Sequence, residues 1–410
     1  MGNKNKECLR KPYLVDEEKY NRFSAANIAF NVVSKGIGRP WFKDYTEKMV
    51  KNMEKGRLSS ISKEEYPDAK VYISLYAGAR TFNAVVGPYG EGRENLGLLS
   101  WNPVYIPEFL YKKKVDFSPE KLSQMVKRAA RYFGADKAGI TKLDKKWVYS
   151  ETDRGMNEPE YRIKKIVFED VDNPYEDDEK LVIPEKVDRA IVLVFKHEYD
   201  LINCAPDLPV SITTNLGYAK MGFTVVSLAE FIRAMGYIAI PSMNDTALSI
   251  PLAIDAGLGE FGRHGLLITP EFGSNVRIAK VLTDMPLKPD KPVELGVKKF
   301  CQVCKVCAEK CPSRSIPFDE PSWEGRSECN NPGVYKWYLS MEKCLYFWIA
   351  NGTSCSSCIA YCPFTKPPGF LHDIARWFIK HVPALNRVWI WLDKILGYEK
   401  KYPAEMIWRG

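Results

Sequence analysis

Eleven cysteines stand in the 410-residue chain, and all but Cys8 and Cys204 lie between Cys301 and Cys362. The spacing there is Cys301-x2-Cys304-x2-Cys307-x3-Cys311-Pro312, then Cys344, then Cys355-x2-Cys358-x3-Cys362-Pro363, with Cys329 between the two groups. Thiolates two residues apart in a tight loop reach neighbouring irons of one cubane, while the cysteine before the proline is carried off to a second cluster. Two such runs in tandem describe a bacterial-ferredoxin-like module with two 4Fe–4S clusters. The expected ligand sets are Cys301, Cys304, Cys307 and Cys362 on one cluster, and Cys311, Cys355 and Cys358 on the other. The fourth ligand of the second set is Cys344 or Cys329, and spacing does not choose between them. Zinc would want two C-x2-C pairs per metal, and a disulfide framework would spread its bridges along a small secreted chain.

An electron relay needs a terminus. The motif Gly257-Leu258-Gly259-Glu260-Phe261-Gly262 matches the dinucleotide fingerprint G-x-G-x-x-G letter for letter. That fingerprint works only where it follows a strand and opens a helix, so that the helix N-terminus meets the pyrophosphate. Here it follows a helical run, PLAIDAG, and leads into a strand-like one. The expectation is a glycine turn allowing close approach of another chain segment or of a ligand, with no nicotinamide cofactor. His264, beside it, is a pocket residue or a satisfied structural histidine.

The net charge of +8 is mild and dispersed, which argues against nucleic acid. No run of apolar residues is long enough to span a bilayer. The N-terminal MGNKNKECLRKPYL shows neither an apolar export segment nor a twin arginine, and Lys6 breaks the myristoylation pattern.

The elements that must carry this chemistry read as follows. Residues 1–115 are irregular and wrap a core. A helix begins at Ser118 as N-cap with Pro119 in its first turn, presents Leu122, Met125, Val126, Ala129 and Phe133 on one face, and stops at Gly134. AGITKL and RAIVLVF (189–195) are strands. The acidic run 168–180 lacks the spacing of a calcium loop and is expected as a solvated loop. A helix over 218–236, a strand at YIAIP, a helix at ALSIPLAIDAG and strands at HGLLITP and RIAKVLTD follow. Alternating helices and strands imply an α/β or α+β domain over 116–295, then the double-cluster module over 296–366. The tail, 367–410, carries Trp377, Trp389, Trp391 and Trp408 and either lies at an interface or packs over its neighbour.

The run from Pro241 to Leu287, followed by the cysteine motifs and GTSCSSCIAYCPF, closely resembles the catalytic subunit of corrinoid-dependent reductive dehalogenases. The resemblance extends from about residue 70 to the end and is most specific over 215–365. It implies a nitroreductase-like corrinoid-binding domain ahead of the ferredoxin-like module. It also implies a cobalamin-type corrinoid, bound base-off with no protein histidine on cobalt, and two 4Fe–4S clusters. The D-x-H-x-x-G corrinoid motif is absent, and His197, His264, His372 and His381 stand in no such setting. By position, the family's proton donor falls on Tyr218, its partners on Asn244 and Arg277, and its remaining cluster cysteine on Cys344. Gly257, Gly259, Gly262 and His264 are expected corrinoid contacts. Tyr76, Phe82, Tyr89 and Trp101 are candidate walls of a substrate pocket.

What the resemblance implies is reduction of a small organohalide, a chlorinated alkane or alkene, in anaerobic organohalide respiration. The implied partners are a small integral-membrane anchor subunit and a low-potential electron donor, without nucleic acid. The implied place is the outer face of the cytoplasmic membrane after twin-arginine export. The chemistry suits the residues. Replacing halide by hydrogen takes two electrons and one proton, and a phenol (ordinarily pKa about 10) gives up its proton readily only if its phenolate is stabilised. An arginine does that by charge and an asparagine by holding the phenol in line. The rival readings are an epoxyqueuosine-reductase-like enzyme acting on tRNA and a non-catalytic ferredoxin-type carrier.

Overall fold

The computed structural model describes residues 12–34, 114–152, 163–367, 369–398, 400, 402–404 and 407. Tyr76, Phe82, Tyr89, Trp101, Cys8 and Trp408 lie outside them. In chain order the elements are α1 (Ala29–Ser34), α2 (Pro119–Tyr132), β1 (Lys137–Lys142), β2 (Glu151–Thr152), β3 (Lys164–Glu169), β4 (Tyr175–Glu176), β5 (Lys180–Pro184) and β6 (Arg189–Lys196). Next come α3 (Tyr199–Ile202), α4 (Pro209–Ala234), β7 (Ala239–Ser242), α5 (Ser249–Asp255), β8 (Glu260–Phe261), β9 (Leu267–Ile268) and β10 (Val276–Thr283). The cysteine-rich part holds α6 (Val297–Cys304), α7 (Val306–Glu309), α8 (Met341–Asn351) and α9 (Ser357–Ala360), and the tail holds α10 (Phe370–His381) and α11 (Asn386–Ile395).

The central sheet runs β1-β6-β10-β7, every neighbouring pair antiparallel. The catalytic part is therefore α+β rather than α/β. Strand β6 explains its own unbroken apolar sequence. Side chains alternate between the two faces of a strand, and here both faces are covered. Ile191, Leu193 and Phe195 join a core with α2 and α4, while Ala190, Val192 and Val194 join a second core with α5 and the smaller sheet.

Helix α2 starts as expected, with the Ser118 hydroxyl accepting from Lys121 N. Helix α4 begins at Pro209, nine residues before the expected start, because polar Ser211, Thr213, Thr214 and Asn215 are buried and the apolar periodicity is diluted there. The acidic run 168–180 is not merely a loop. It closes β3, supplies β4 and opens β5 of the sheet β2-β3-β5-β4, whose Ile166, Leu181 and Ile183 are buried. Its carboxylates other than the half-buried Glu169 are exposed, but the strands beneath them are fixed by pairing. HGLLITP shortens to the two residues of β9.

Residues 12–34 wrap the second core: Tyr13, Val15, Tyr20 and Phe23 pack against it, and Arg22 donates to the carbonyls of Val148 and Ile166. In the tail, Ile379, Trp389 and Ile390 pack with Cys301 and Cys304, whereas Phe370, Leu371, Trp377, Trp391 and Leu396 remain exposed. The tail thus packs over its neighbour on one face and leaves apolar side chains exposed on another. Among the described residues no helix is long and apolar enough to cross a membrane.

One strand carries two cations of opposite orientation, Arg277 partly buried and Lys280 fully buried. On β10, Ala279 and Val281 face the α4 side and Ile278 and Leu282 the other. Arg277 therefore points towards α4 and Lys280 away from it. The fully buried Lys280 donates to Met243 O at 2.7 Å and Ser249 Oγ at 3.1 Å, clasping the turn between β7 and α5. Burial pushes its ammonium down to about 8, with Asp245 opposing that shift. Lys280→Met strands the Met243 carbonyl, and a loss of about 1–3 kcal/mol is expected, read as a lower urea midpoint with unchanged slope.

Candidate active site and cysteine cavity

Tyr218 continues the buried stripe of α4 made by Met221, Val225 and Leu228, one turn closer to the helix start and over the end of the sheet. Arg277, opposite Phe195 in the register, reaches it from β10. Arg277 Nη1 donates to the phenol oxygen at 2.9 Å, and its guanidinium lies 4.1 Å from the ring centroid. Asn244 Nδ2 donates to the same oxygen at 3.0 Å. The three residues singled out by sequence are thus brought together.

Two N–H donors fill the lone pairs of the phenol oxygen and leave its own hydrogen as the one donor to be placed. Asn244 is held by its turn. Met243 N and Thr246 Oγ1 donate to the Asp245 carboxylate, Ser242 Oγ to Asp245 O, and Tyr149 Oη to Asn244 O. Thr246 has φ +64°, a strained conformation that those bonds hold in place.

Sequence reasoning passed over Gly217 and His197 here. A Cβ on Gly217 would stand 3.0 Å from Arg277 Cγ and 3.3 Å from His197 Nε2. Glycine within a helix costs about 0.5–1 kcal/mol relative to alanine, and this close approach is what it permits. His197 is buried with both ring nitrogens unpartnered among the described residues, as are Arg277 Nε and Asn275 Oδ1. Burial, then the charges of Arg277 and Lys220, hold its imidazole well below the usual histidine range and therefore neutral. A histidine closing an apolar strand was the available signal.

The glycine turn works on the cysteine side instead. A Cβ on Gly257 would stand 2.3 Å from Lys291 O, one on Gly259 2.3 Å from Ile268 O, and one on Gly262 2.7 Å from His264 Cε1. Other chain segments take up that space, the first of the two expectations for this turn. The turn clamps α6 at both ends. Glu260 accepts from Leu295 N and Val297 N at the helix start. Arg263 donates to Cys301 O and Gln302 O, and onward to Pro317 O and Asp319 O. His264 is buried too. Leu266 N donates to its Nδ1 at 3.2 Å, its Nε2 has no partner among the described residues, and burial pushes its pKa down to about 4.

Cys301, Cys304, Cys307 and Cys362 line one cavity, together with Arg263 and His264. Cys311, Cys344, Cys355 and Cys358 lie within electrostatic reach of one another, and Cys358 also of Cys362. Cys329 instead lies beside Glu342 and Glu328 and packs with Ala29 and Leu345. Cys204 is a buried thiol donating to Asp200 O.

The backbone around these cysteines is bent alike in both groups. Lys305 (φ 53°), after Cys304, and Ser356 (φ 52°), after Cys355, are left-handed without being glycine. Neighbouring amides favour the thiolates: Val306 N beside Cys304, Ser357 N beside Cys355, and the amides of Phe364 and Thr365 beside Cys362. Burial pushes the Cys301 and Cys344 thiols up to about 12, and neighbouring cysteines add to it. Crowded, desolvated thiols become thiolates only against the charge of a metal. Among the described residues no three His, Cys, Asp or Glu side chains converge on a single ion. Eight cysteines in two cages with amide donors on sulfur fit a multi-iron cluster, whose irons are spread over the corners of a cube.

A family model described as the reductive dehalogenase subunit matches residues 90–287. The tetrachloroethene reductive dehalogenase of Sulfurospirillum multivorans is 34% identical over 420 residues, covering 97% of this chain and 83% of that protein. The tetrachloroethene reductive dehalogenase of Dehalobacter restrictus is 37% identical over 304 residues, 68% of this chain and 54% of that protein. The epoxyqueuosine reductase of Listeria monocytogenes is 30% identical, but over only 32% of this chain. Among solved structures, a reductive dehalogenase described in terms of B12-dependent dehalogenation shares the fold with a TM-score of 0.66 at 19% identity, over 96% of this chain and 49% of that one. The chain thus spans about half the length of that solved relative. Its sequence similarity to the Sulfurospirillum multivorans enzyme over most of both proteins shows that the chain belongs to the reductive dehalogenase family of oxidoreductases.

Proposed function

We propose that this enzyme removes halide from a small organohalide, a chlorinated alkene or alkane, replacing it with hydrogen at the expense of two electrons and one proton. The observation that carries the reading is the convergence of Asn244 and Arg277 on the Tyr218 oxygen. The names of the relatives, tetrachloroethene reductive dehalogenases, support the substrate class. A corrinoid of the cobalamin type, base-off and without a protein histidine on its cobalt, supplies the reductive cleavage of the carbon–halogen bond when bound. The two ring nitrogens of His197, Asn275 Oδ1 and Arg277 Nε, buried and without a partner among the described residues, suit the carboxamide fringe of such a ring. Gly257, Gly259 and Gly262 serve the same site indirectly, by shaping the turn that fixes α6 and His264.

Tyr218 holds the proton at Oη and delivers it to the carbon that loses halide. The charge left on the phenolate is met by two hydrogen bonds and the guanidinium. Asn244 fixes the direction of transfer. Electrons arrive singly through two 4Fe–4S clusters, one on Cys301, Cys304, Cys307 and Cys362 and one on Cys311, Cys344, Cys355 and Cys358. The reach between Cys358 and Cys362 supports their adjacency.

We place the enzyme peripherally at the outer face of the cytoplasmic membrane, exported by the twin-arginine route, in anaerobic organohalide respiration. A low-potential donor feeds it, and a small integral-membrane anchor subunit meets the exposed apolar side of α10 and α11. The tRNA reading rests on a match over a third of the chain, and the carrier reading leaves the Tyr218 site without a task.

Protein purified without oxygen and loaded with cobalamin is expected to hold about eight irons and one cobalt per chain and to release chloride from tetrachloroethene. Full iron without cobalt after competent loading refutes the proposal. Tyr218→Phe is expected to keep both metals and lose about 10²–10⁴-fold in turnover; ordinary turnover removes Tyr218 as donor. Cys344→Ser should lose a cluster's iron and its paramagnetic signal while Cys329→Ser keeps both, and the reverse pattern would exchange the two assignments.

A further inference from the structure

The cysteine cavity contains a donor that the ligand assignment does not use. His264 is 2% exposed and lines the cavity with Cys301, Cys304, Cys307 and Cys362. Because its Nδ1 accepts from Leu266 N, the ring hydrogen sits on Nε2. That Nε2 is buried with no partner among the described residues. An orphaned buried donor costs about 1–3 kcal/mol, so its retention calls for an acceptor, and sulfur is what the cavity offers. The glycine at 262 lets the ring approach: a Cβ there would stand 2.7 Å from His264 Cε1, leaving the imidazole no room.

The neighbouring residue tells the same story in charge. Among the described residues Arg263, 1% exposed, donates only to main-chain carbonyls, and it lies 4.6 Å from the Trp337 ring centroid. A buried guanidinium without a carboxylate needs a counter-charge. An iron–sulfur cluster on four thiolates is such an anion, and it gains one further negative charge on reduction.

We propose that His264 Nε2–H donates a hydrogen bond to a sulfur of the cluster held by Cys301, Cys304, Cys307 and Cys362 and raises the reduction potential of that cluster above its partner's. The inference rests on the cluster reading above. Hydrogen bonds to cluster sulfur are among the protein's controls on potential, because they stabilise the added electron more than they stabilise the oxidised state. His264 acts through the cluster and so is a tuning residue, not a catalytic one.

The test is an electron-paramagnetic-resonance redox titration of the fully loaded enzyme. In His264→Phe the reduction equilibrium of one cluster is expected to fall about tenfold, which for one electron is about 59 mV, with iron content and the second cluster unchanged. His264→Gln, which keeps an N–H donor, should recover most of the shift. Identical potentials in His264→Phe at full iron overturn the proposal. Should that variant fail to hold its cluster, the unsubstituted enzyme decides. With nitrogen-15 in its histidines, pulsed resonance on the reduced cluster should show coupling to a histidine nitrogen, and its absence overturns the proposal. A native protein with far fewer than about eight irons instead removes the cluster reading itself, and this inference with it.

Discussion

The meeting of two N–H donors on one phenol oxygen governs this fold. Asn244 comes from the turn after β7, Arg277 from β10 and Tyr218 from α4, so the site exists only while helix, strand and turn keep their relative heights. The antiparallel register sets those heights. Opposite Phe195, Arg277 faces the helix, and a slip of one residue would turn it to the far side. Lys280, of the opposite parity, uses that far side to hold the turn that carries Asn244. A single strand thus fixes the cation at the site directly and the amide through a buried clasp.

The two halves of the molecule share one connector. The turn 257–264 follows α5 of the catalytic part and ends against the cysteine cavity, and in between it grips α6 at both ends. Its glycines serve the close approach of chain segments, which in turn lets Glu260, Arg263 and His264 reach the helix and cavity. That grip fixes the first cysteine group relative to the central sheet, the placement that the proposed electron transfer would require.

Much of this was legible in residue order, and the failures have physical causes. The cysteine spacing announced two groups because ligand geometry is local, and α2 announced its start through Ser118 and Pro119. The choice between α/β and α+β was not legible, since strand direction is set by partners far away in sequence. Helix α4 hid its first turns because buried Ser211, Thr213 and Asn215 blur its apolar face. The fingerprint at 257–262 could be dismissed for its context, but what its glycines approach instead required coordinates. Gly217, Arg263 and Lys280 were invisible for one reason: each matters through an atom brought near by another element. Spacing could not separate Cys344 from Cys329, whereas their surroundings differ plainly, cysteines around one and carboxylates around the other.

The interleaving of the cysteines carries a further consequence for biogenesis. Cys362 sits with the first run, and Cys311 sits with the second. A nascent chain that has emerged only as far as Cys311 owns four of the eight grouped cysteines and neither complete set. Completion of either set waits for residues some fifty positions downstream, so on the proposed cluster reading neither could be filled before the second run has emerged. Helices α10 and α11 then settle against α6. On the proposed cluster reading, this makes the order of assembly a property of the chain's threading and not only of the machinery that serves it.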